Sequence, residues 1–295
     1  MKINIRDIII LIQIGDGMQE MTFGFFTNLQ KQSAVDGLLA GLKKALSLGY
    51  SCCIDEQLLP LVKDLPTMSQ QPPDVILAFG GDGTILRAAS RAAELGVPIL
   101  GINLGRVGFL SEITPDQLEA ALVRIDQGDY SVDKRMMFEC RVNGGAPHYC
   151  LNETLLYKRS FSGIVDISTE INGVNAGSVM CDGIIISTTT GATGYSISAG
   201  GPVITPGFDV AIITPICPHT LSFRPIIAPA DAQMCFSMNS EGYISLDGIY
   251  TMEINQDDKI VVYRSERYAA FVKFEERNIY SLIRSKLSQH TTQED

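Results

Sequence analysis

Five consecutive residues, Gly80-Gly81-Asp82-Gly83-Thr84, combine the types that phosphate chemistry needs. Glycines have no Cβ and take positive φ at little cost, so backbone N–H groups beside them can approach phosphate oxygens at a helix N-terminus. The run lies between an apolar strand ending at Phe79 and a helical stretch beginning near Ile85. That is the carboxyl edge of a strand, where parallel sheets bind ligands. No Lys-Ser/Thr pair follows, so this is not a Walker A loop, and the spacing is not the dinucleotide G-x-G-x-x-G. A carboxylate in its middle would repel a phosphate unless a cation or a hydroxyl lay between them. Such a place suits a base that aligns an attacking hydroxyl and accepts its proton late. The same spacing also fits an aspartate that caps a helix in a tight turn. A second loop, Asn103-Leu104-Gly105-Arg106-Val107-Gly108-Phe109-Leu110, follows the next strand. It reads either as a further wall of an anion site, with Arg106 as its cation, or as an ordinary strand-to-helix connection.

Other polar residues say less when taken singly. Asn152-Glu153 reads as a solvated turn, His219 between Pro218 and Thr220 as structural, and Asp247-Gly248 most simply as a turn. Tyr195 and Ser198 fit one face of a short helix beginning near Thr193. With 3 His in the chain, a Ser-His-Asp hydrolase has few candidate bases. The 7 Cys form no C-x-x-C pair and no Cys/His cluster of metal spacing, so we expect reduced, mostly buried thiols, no resident metal site and a cytoplasmic location.

The elements that must position these groups alternate along the first half. Strands are predicted at 22–27, 50–54, 74–79 and 97–102, with helices over 31–48 and 85–95 between them and a further helix from Thr114-Pro115 to about Gln127. Alternation of this kind gives βαβ units and a parallel sheet. After Tyr130 the pattern changes to strand-like runs at 137–142, 184–188, 210–214, 233–238, 243–247 and 259–263, with the turn dipeptides Asn143-Gly144, Asn172-Gly173 and Asp247-Gly248. Helical periodicity returns over 275–287. The expected organisation is an N-terminal α/β domain over 1–128, completed by a helix in 275–295 that packs back on it, and a β-rich, β-sandwich-like domain over 129–274. Residues 1–20 read as an upstream extension, with Met21 as a second possible start, or as an extra edge strand at 7–14.

Composition narrows the function classes. The 295 residues are 45% hydrophobic and 19% charged, which excludes a disordered or low-complexity chain. A net charge of -10, from 23 Lys+Arg against 33 Asp+Glu, argues against binding nucleic acid or an anionic membrane through bulk electrostatics. The early apolar run Ile8 to Ile14 is too short to span a bilayer, and no small-residue cleavage site follows it, so secretion is not expected.

Taken in order, five blocks resemble the bacterial NAD kinases over about residues 22–285. They are Gly80-Gly81-Asp82-Gly83-Thr84, Asn103-Leu104-Gly105 with Gly108-Phe109-Leu110, Asn152-Glu153, the run from Asp182 to Pro202 and the run from Thr214 to Pro225. The resemblance implies ATP-dependent phosphorylation of the 2′-hydroxyl of the adenosine ribose of NAD, giving NADP, with a divalent metal (Mg) accompanying ATP. It implies an N-terminal α/β domain, a C-terminal β-rich domain with the site in the cleft between them, and a homo-oligomer, tetramer or dimer. By motif, Asp82 would be the base, and Gly81, Gly83 and Thr84 would face phosphates. Asp82, Gly83, Phe109, Asn152, Glu153, Asp182, Thr193, Gly194, Tyr195 and Ser198 would form the NAD site. The chain departs from the usual family pattern at Thr189 (proline), Ala192 (serine), Gly194 (alanine) and Met180, where many members carry a basic residue. Two other readings compete: a lipid kinase of the diacylglycerol kinase type, which shares the glycine-aspartate loop, and a silent NAD-binding sensor, suggested by Met180.

Overall fold

Val75–Phe79 is apolar at every position, and it forms a strand buried along its whole length, as expected where helices cover both faces of a parallel sheet. The computed structural model describes residues 19–105, 108–160, 162–205, 207–219 and 223–275. They fall into two units, the first comprising 19–134 with 269–275 and the second 135–268.

The first unit contains β1 (Gln19–Thr27), α1 (Gln32–Ser47), β2 (Tyr50–Ile54), β3 (Val75–Phe79), α2 (Asp82–Leu95), β4 (Ile99–Ile102) and α3 (Leu118–Asp126). Its strands run parallel in the order β2-β1-β3-β4, with Phe23 opposite Val75 and Ile76 opposite Ile99. The end of the last described strand adds beside β4, with Phe271 opposite Ile99. Helix α1 buries Ala34, Val35, Leu38, Leu42, Ala45 and Leu46, an i, i+4, i+7 stripe set against Phe23, Phe25, Leu77 and Phe79. Thr114, with Pro115 in the first turn, opens the segment that leads into α3, as the sequence predicts, and Gln117 adds a reciprocal capping box.

Several boundaries differ: β1 begins at Gln19, so residues 19 and 20 belong to the first strand and not to an upstream extension, and the last described strand runs on to Lys273, ten residues past the expected 263. Helix α2 begins at Asp82, three residues before the expected Ile85, with Gly81 in extended backbone as its N-cap. Apolar periodicity cannot register a first turn made of Asp, Gly and Thr. Asp82 is therefore inside the helix, and its side chain does not cap it.

The second unit holds two antiparallel layers. One contains most of β5 (Ser131–Val142), β6 (His148–Cys150), β8 (Val165–Ile171), β9 (Val174–Cys181), β13 (Met234–Met238) and the first part of β16 (Ile260–Lys273). The other runs in the order β12-β11-β10-β7-β14-β15, formed by Ile226–Pro229, Val210–Ile216, Gly183–Ser187, Glu153–Lys158, Gly242–Leu246 and Tyr250–Ile254. Phe138, Ile167, Val179 and Phe236 from the first layer meet Leu156, Ile184, Ile186, Ile213 and Ile244 from the second in one buried cluster. This is the β-rich, sandwich-like architecture the sequence implies. All three Asn-Gly and Asp-Gly dipeptides turn hairpins in the left-handed region, with φ of 52, 51 and 54 at Asn143, Asn172 and Asp247.

All seven cysteines are free, and six of them are buried, with Cys217 exposed. Among the described residues no helix is long and apolar enough to cross a membrane. The readings made for residues 1–18 and for the helix over 275–287 lie outside the described residues, apart from Glu275.

Candidate active site

In the first unit the chemistry gathers between β3 and α2. Gly81 and Gly83 are exposed, and a Cβ at either would meet nothing within 4 Å, so the backbone of the first helical turn is open to a ligand. Thr84 is buried. Asp82 is half-buried, and its carboxylate is gripped by the second glycine loop: Phe109 N–H donates to Oδ2 at 3.0 Å and Leu110 N–H to Oδ1 at 3.1 Å. Those two donors fix the plane of the carboxylate.

Gly108 makes this grip possible. A Cβ there would stand 2.5 Å from Asp82 Cγ and nearer still to Oδ1. Gly108 N–H in turn donates to Ser111 Oγ at 2.9 Å, and Gly105 N–H to Asn103 Oδ1 at 3.0 Å. The second loop therefore acts on Asp82 through backbone donors. Arg106, read as a possible cation of that wall, lies outside the described residues. Phe109, expected along the NAD wall, is half-buried, with its own N–H on Asp82.

In the second unit Asn152 and Glu153 lie at the start of β7, next to the loop that leaves β10. Thr188 N–H donates to Asn152 O at 2.8 Å, and Thr188 Oγ1 to Leu151 O at 2.5 Å. A Cβ at Gly191 would strike Asn152 O, so only glycine lets these two chains approach. Gly194 sits over the pair, with the place of its missing Cβ 3.4 Å from Glu153 Oε2 and 3.6 Å from Asn152 Nδ2. Glu153 Oε2 is buried with no hydrogen-bond partner. Burial, and then the charge of Asp247, push the Glu153 carboxyl up to about 7.

Asp182 and Tyr195 line one groove of about 490 Å³ together with Tyr157, Lys158 and Ile216. Tyr195 opens the short helix α4 (Tyr195–Ser198) and exposes 44% of its surface, enough to offer a ring face to a flat ligand. Ser196 between them is buried against Thr214, with the two hydroxyls 3.1 Å apart, which anchors the helix. Thr193 Oγ1 lies 3.4 Å from Thr190 O, and Ser198 is exposed at the helix end.

Two residues that sequence reading passed over are tied to the expected site. Lys158 Nζ pairs with Asp182 Oδ1 at 2.5 Å and also donates to Gly163 O at 2.8 Å. It sets a cation beside Asp182, while Met180 is 45% exposed on β9. Asp247, read as a turn residue, does form the turn, but its carboxylate also accepts three backbone N–H groups of Leu151, Asn152 and Glu153. No local sequence signal links it to a loop about 95 residues away. Of the departures, Thr189 uses its hydroxyl to donate to Phe208 O, and Ala192 is fully buried. Among the described residues no three His, Cys, Asp or Glu side chains converge as they would on a metal ion.

Residues 20–130 match the family model of the ATP-NAD kinase N-terminal domain, and residues 151–274 that of the C-terminal domain. The NAD kinase of Geotalea daltonii is 41% identical over 253 residues, covering 83% of this chain and 85% of the relative. That of Geobacter sulfurreducens is 38% identical over 232 residues, covering 76% and 80%. Among solved structures, an NAD kinase from Archaeoglobus fulgidus in complex with ATP superposes with a TM-score of 0.73 at 28% identity, over 90% of this chain and 99% of that one. Yeast NADH kinase complexed with NADH gives 0.79 at 20% identity, over 93% and 89%, a likeness of fold alone.

Proposed function

Because the chain belongs to the ATP-NAD kinase family, we infer that it is an NAD kinase, a phosphotransferase that makes NADP from NAD and ATP. The observation that carries its chemistry is the Asp82 carboxylate, held by two backbone N–H groups at the mouth of an open glycine turn. In this reading the 2′-hydroxyl oxygen of the adenosine ribose attacks the γ-phosphorus of ATP. The bond from that phosphorus to the β,γ-bridging oxygen breaks and ADP leaves. The hydroxyl proton passes to Asp82. Transfer of this kind leaves little covalent work to the protein, so alignment of the hydroxyl is the main contribution, and a carboxylate with a fixed plane supplies it.

Gly81, Gly83 and Thr84 are assigned to the phosphates, where the first turn of α2 favours anions. Asn152 and Glu153 are assigned to the NAD adenosine part, and Asp182, Thr193, Gly194, Tyr195 and Ser198 to the rest of its pocket, with Phe109 along the wall. Magnesium is placed with ATP, whose phosphate oxygens and waters are the ligands it prefers. A homo-oligomer, tetramer or dimer, and a cytoplasmic location complete the proposal. A silent sensor would have no use for the grip on Asp82.

The test is NADP formation from NAD, ATP and magnesium, read by an NADP-dependent dehydrogenase, in the wild type and in Asp82→Asn. The expected result is turnover in the wild type and a loss of about a hundredfold or more in the variant. A folded wild type that makes no NADP refutes the reaction. Equal rates refute the role of Asp82.

A further inference from the structure

Asp247 has no part in the reaction as described, yet the loop that carries Asn152 and Glu153 is built round it. Oδ2 accepts from Leu151 N–H at 2.8 Å, while Oδ1 accepts from Asn152 N–H at 2.8 Å and Glu153 N–H at 3.0 Å. Asp247 N–H donates back to Glu153 O at 3.0 Å. Three successive N–H groups directed at one carboxylate leave little freedom in the backbone between them. The carbonyls of the same segment are held from the other side by Thr188.

The turn does not by itself account for an aspartate here. Asp247 has φ of 54 and is followed by Gly248 at φ of 65, a pair that Asn-Gly or Gly-Gly also forms. What only a carboxylate offers is two oxygens that both accept, with enough charge to serve three donors. Half-buried, such a group is tolerated because those donors face it.

We propose that Asp247 is a positioning residue for NAD: it sets the backbone of Leu151–Glu153 so that the Asn152 and Glu153 side chains meet the dinucleotide in one fixed direction. The ligand rests on the NAD kinase reading, whereas the hold on the loop does not.

The test is Asp247→Asn in the full-length protein, whose amide would turn an NH₂ toward backbone donors. KM for NAD is expected to rise about tenfold or more, the scale of losing hydrogen bonds to a charged acceptor, with kcat and KM for ATP changed less than about twofold. Hydrogen exchange of a peptide covering Leu151–Glu153 is expected to quicken in the variant. A lower melting temperature with KM for NAD unchanged would make Asp247 merely structural and overturn the proposal, and so would an equal rise in KM for ATP. If the variant does not fold, the wild type decides: amides 151–153 are expected to exchange as slowly as those of neighbouring strands, and exchange at open-loop rates overturns the proposal. A wild type that makes no NADP but protects these amides would refute the kinase reading and leave the hold on the loop standing.

Discussion

Gly108→Ala tests how tightly the base must be aimed. The substitution sets one methyl group beside the base. That methyl would stand 2.5 Å from Asp82 Cγ, against the roughly 3.5 Å at which carbon atoms rest in contact. The carboxylate must therefore retreat by about 1 Å or swing off Phe109 N–H and Leu110 N–H. A displacement of about 1 Å at a reacting group can cost a hundredfold in rate, equivalent to about 3 kcal/mol of barrier. The coupled NADP assay on the wild type, Gly108→Ala, Asp82→Asn and the double variant separates aim from identity. We expect Gly108→Ala to lower kcat about a hundredfold while KM for NAD moves little. The double variant should be no slower than the slower single one, because both changes disable the same group. A Gly108→Ala enzyme with near-normal kcat would refute the argument that the loop aims Asp82. Multiplied losses in the double variant would show that Gly108 acts on something else.

Three further outcomes follow from the second unit. Burial pushes Asp247 up to about 6 and, with the charge of Asp247, Glu153 up to about 7, so both carboxyls take up protons at higher pH in the folded state than in the unfolded chain. The stability this contributes is complete below about pH 4 and is lost as pH rises through the two folded values, so the wild type should melt progressively lower from pH 5 to pH 8. Glu153→Gln removes the share set by a rise from 4.5 to about 7, on the order of 3 kcal/mol. Its melting temperature relative to wild type should therefore be higher at pH 8 than at pH 5, and a difference independent of pH would refute the raised value of Glu153. Lys158→Met breaks the partly buried pair with Asp182, and KM for NAD should rise about three- to tenfold at unchanged kcat, whereas an unchanged KM would remove Asp182 from the NAD pocket.

What could be read in the sequence was whatever lay close together in it. The parallel sheet of the first unit shows in four apolar runs separated by helical stripes, and Asp82 is conspicuous because its glycines are its neighbours. The grip on Asp82 spans 27 and 28 residues, and the bonds of Asp247 to the Leu151–Glu153 loop span 94 to 96, with no motif joining the ends. Strand β9, Val-Asn-Ala-Gly-Ser-Val-Met-Cys, buries only Val179 and Cys181, so it offered no apolar run to detect. Its existence depends on pairing with β8 across the Asn172-Gly173 turn. Lys158 was invisible for a related reason: its alternation along β7 is ordinary, and its meaning comes from Asp182, at the bend between β9 and β10.

The two aspartates use one interaction in opposite senses. At Asp82, backbone N–H groups hold a carboxylate still, and the carboxylate acts. At Asp247, a carboxylate holds the backbone still, and side chains on that backbone act. The difference follows what faces each carboxylate. Asp82 is half-buried beside the open glycine turn, so a carboxylate whose plane is set by Phe109 N–H and Leu110 N–H can meet a hydroxyl there. Asp247, likewise half-buried, turns its carboxylate on three successive backbone N–H groups and so holds the loop. Replacing either by asparagine removes the same charge, yet the first should appear in kcat and the second in KM for NAD. That separation is what makes base and scaffold distinguishable by kinetics alone.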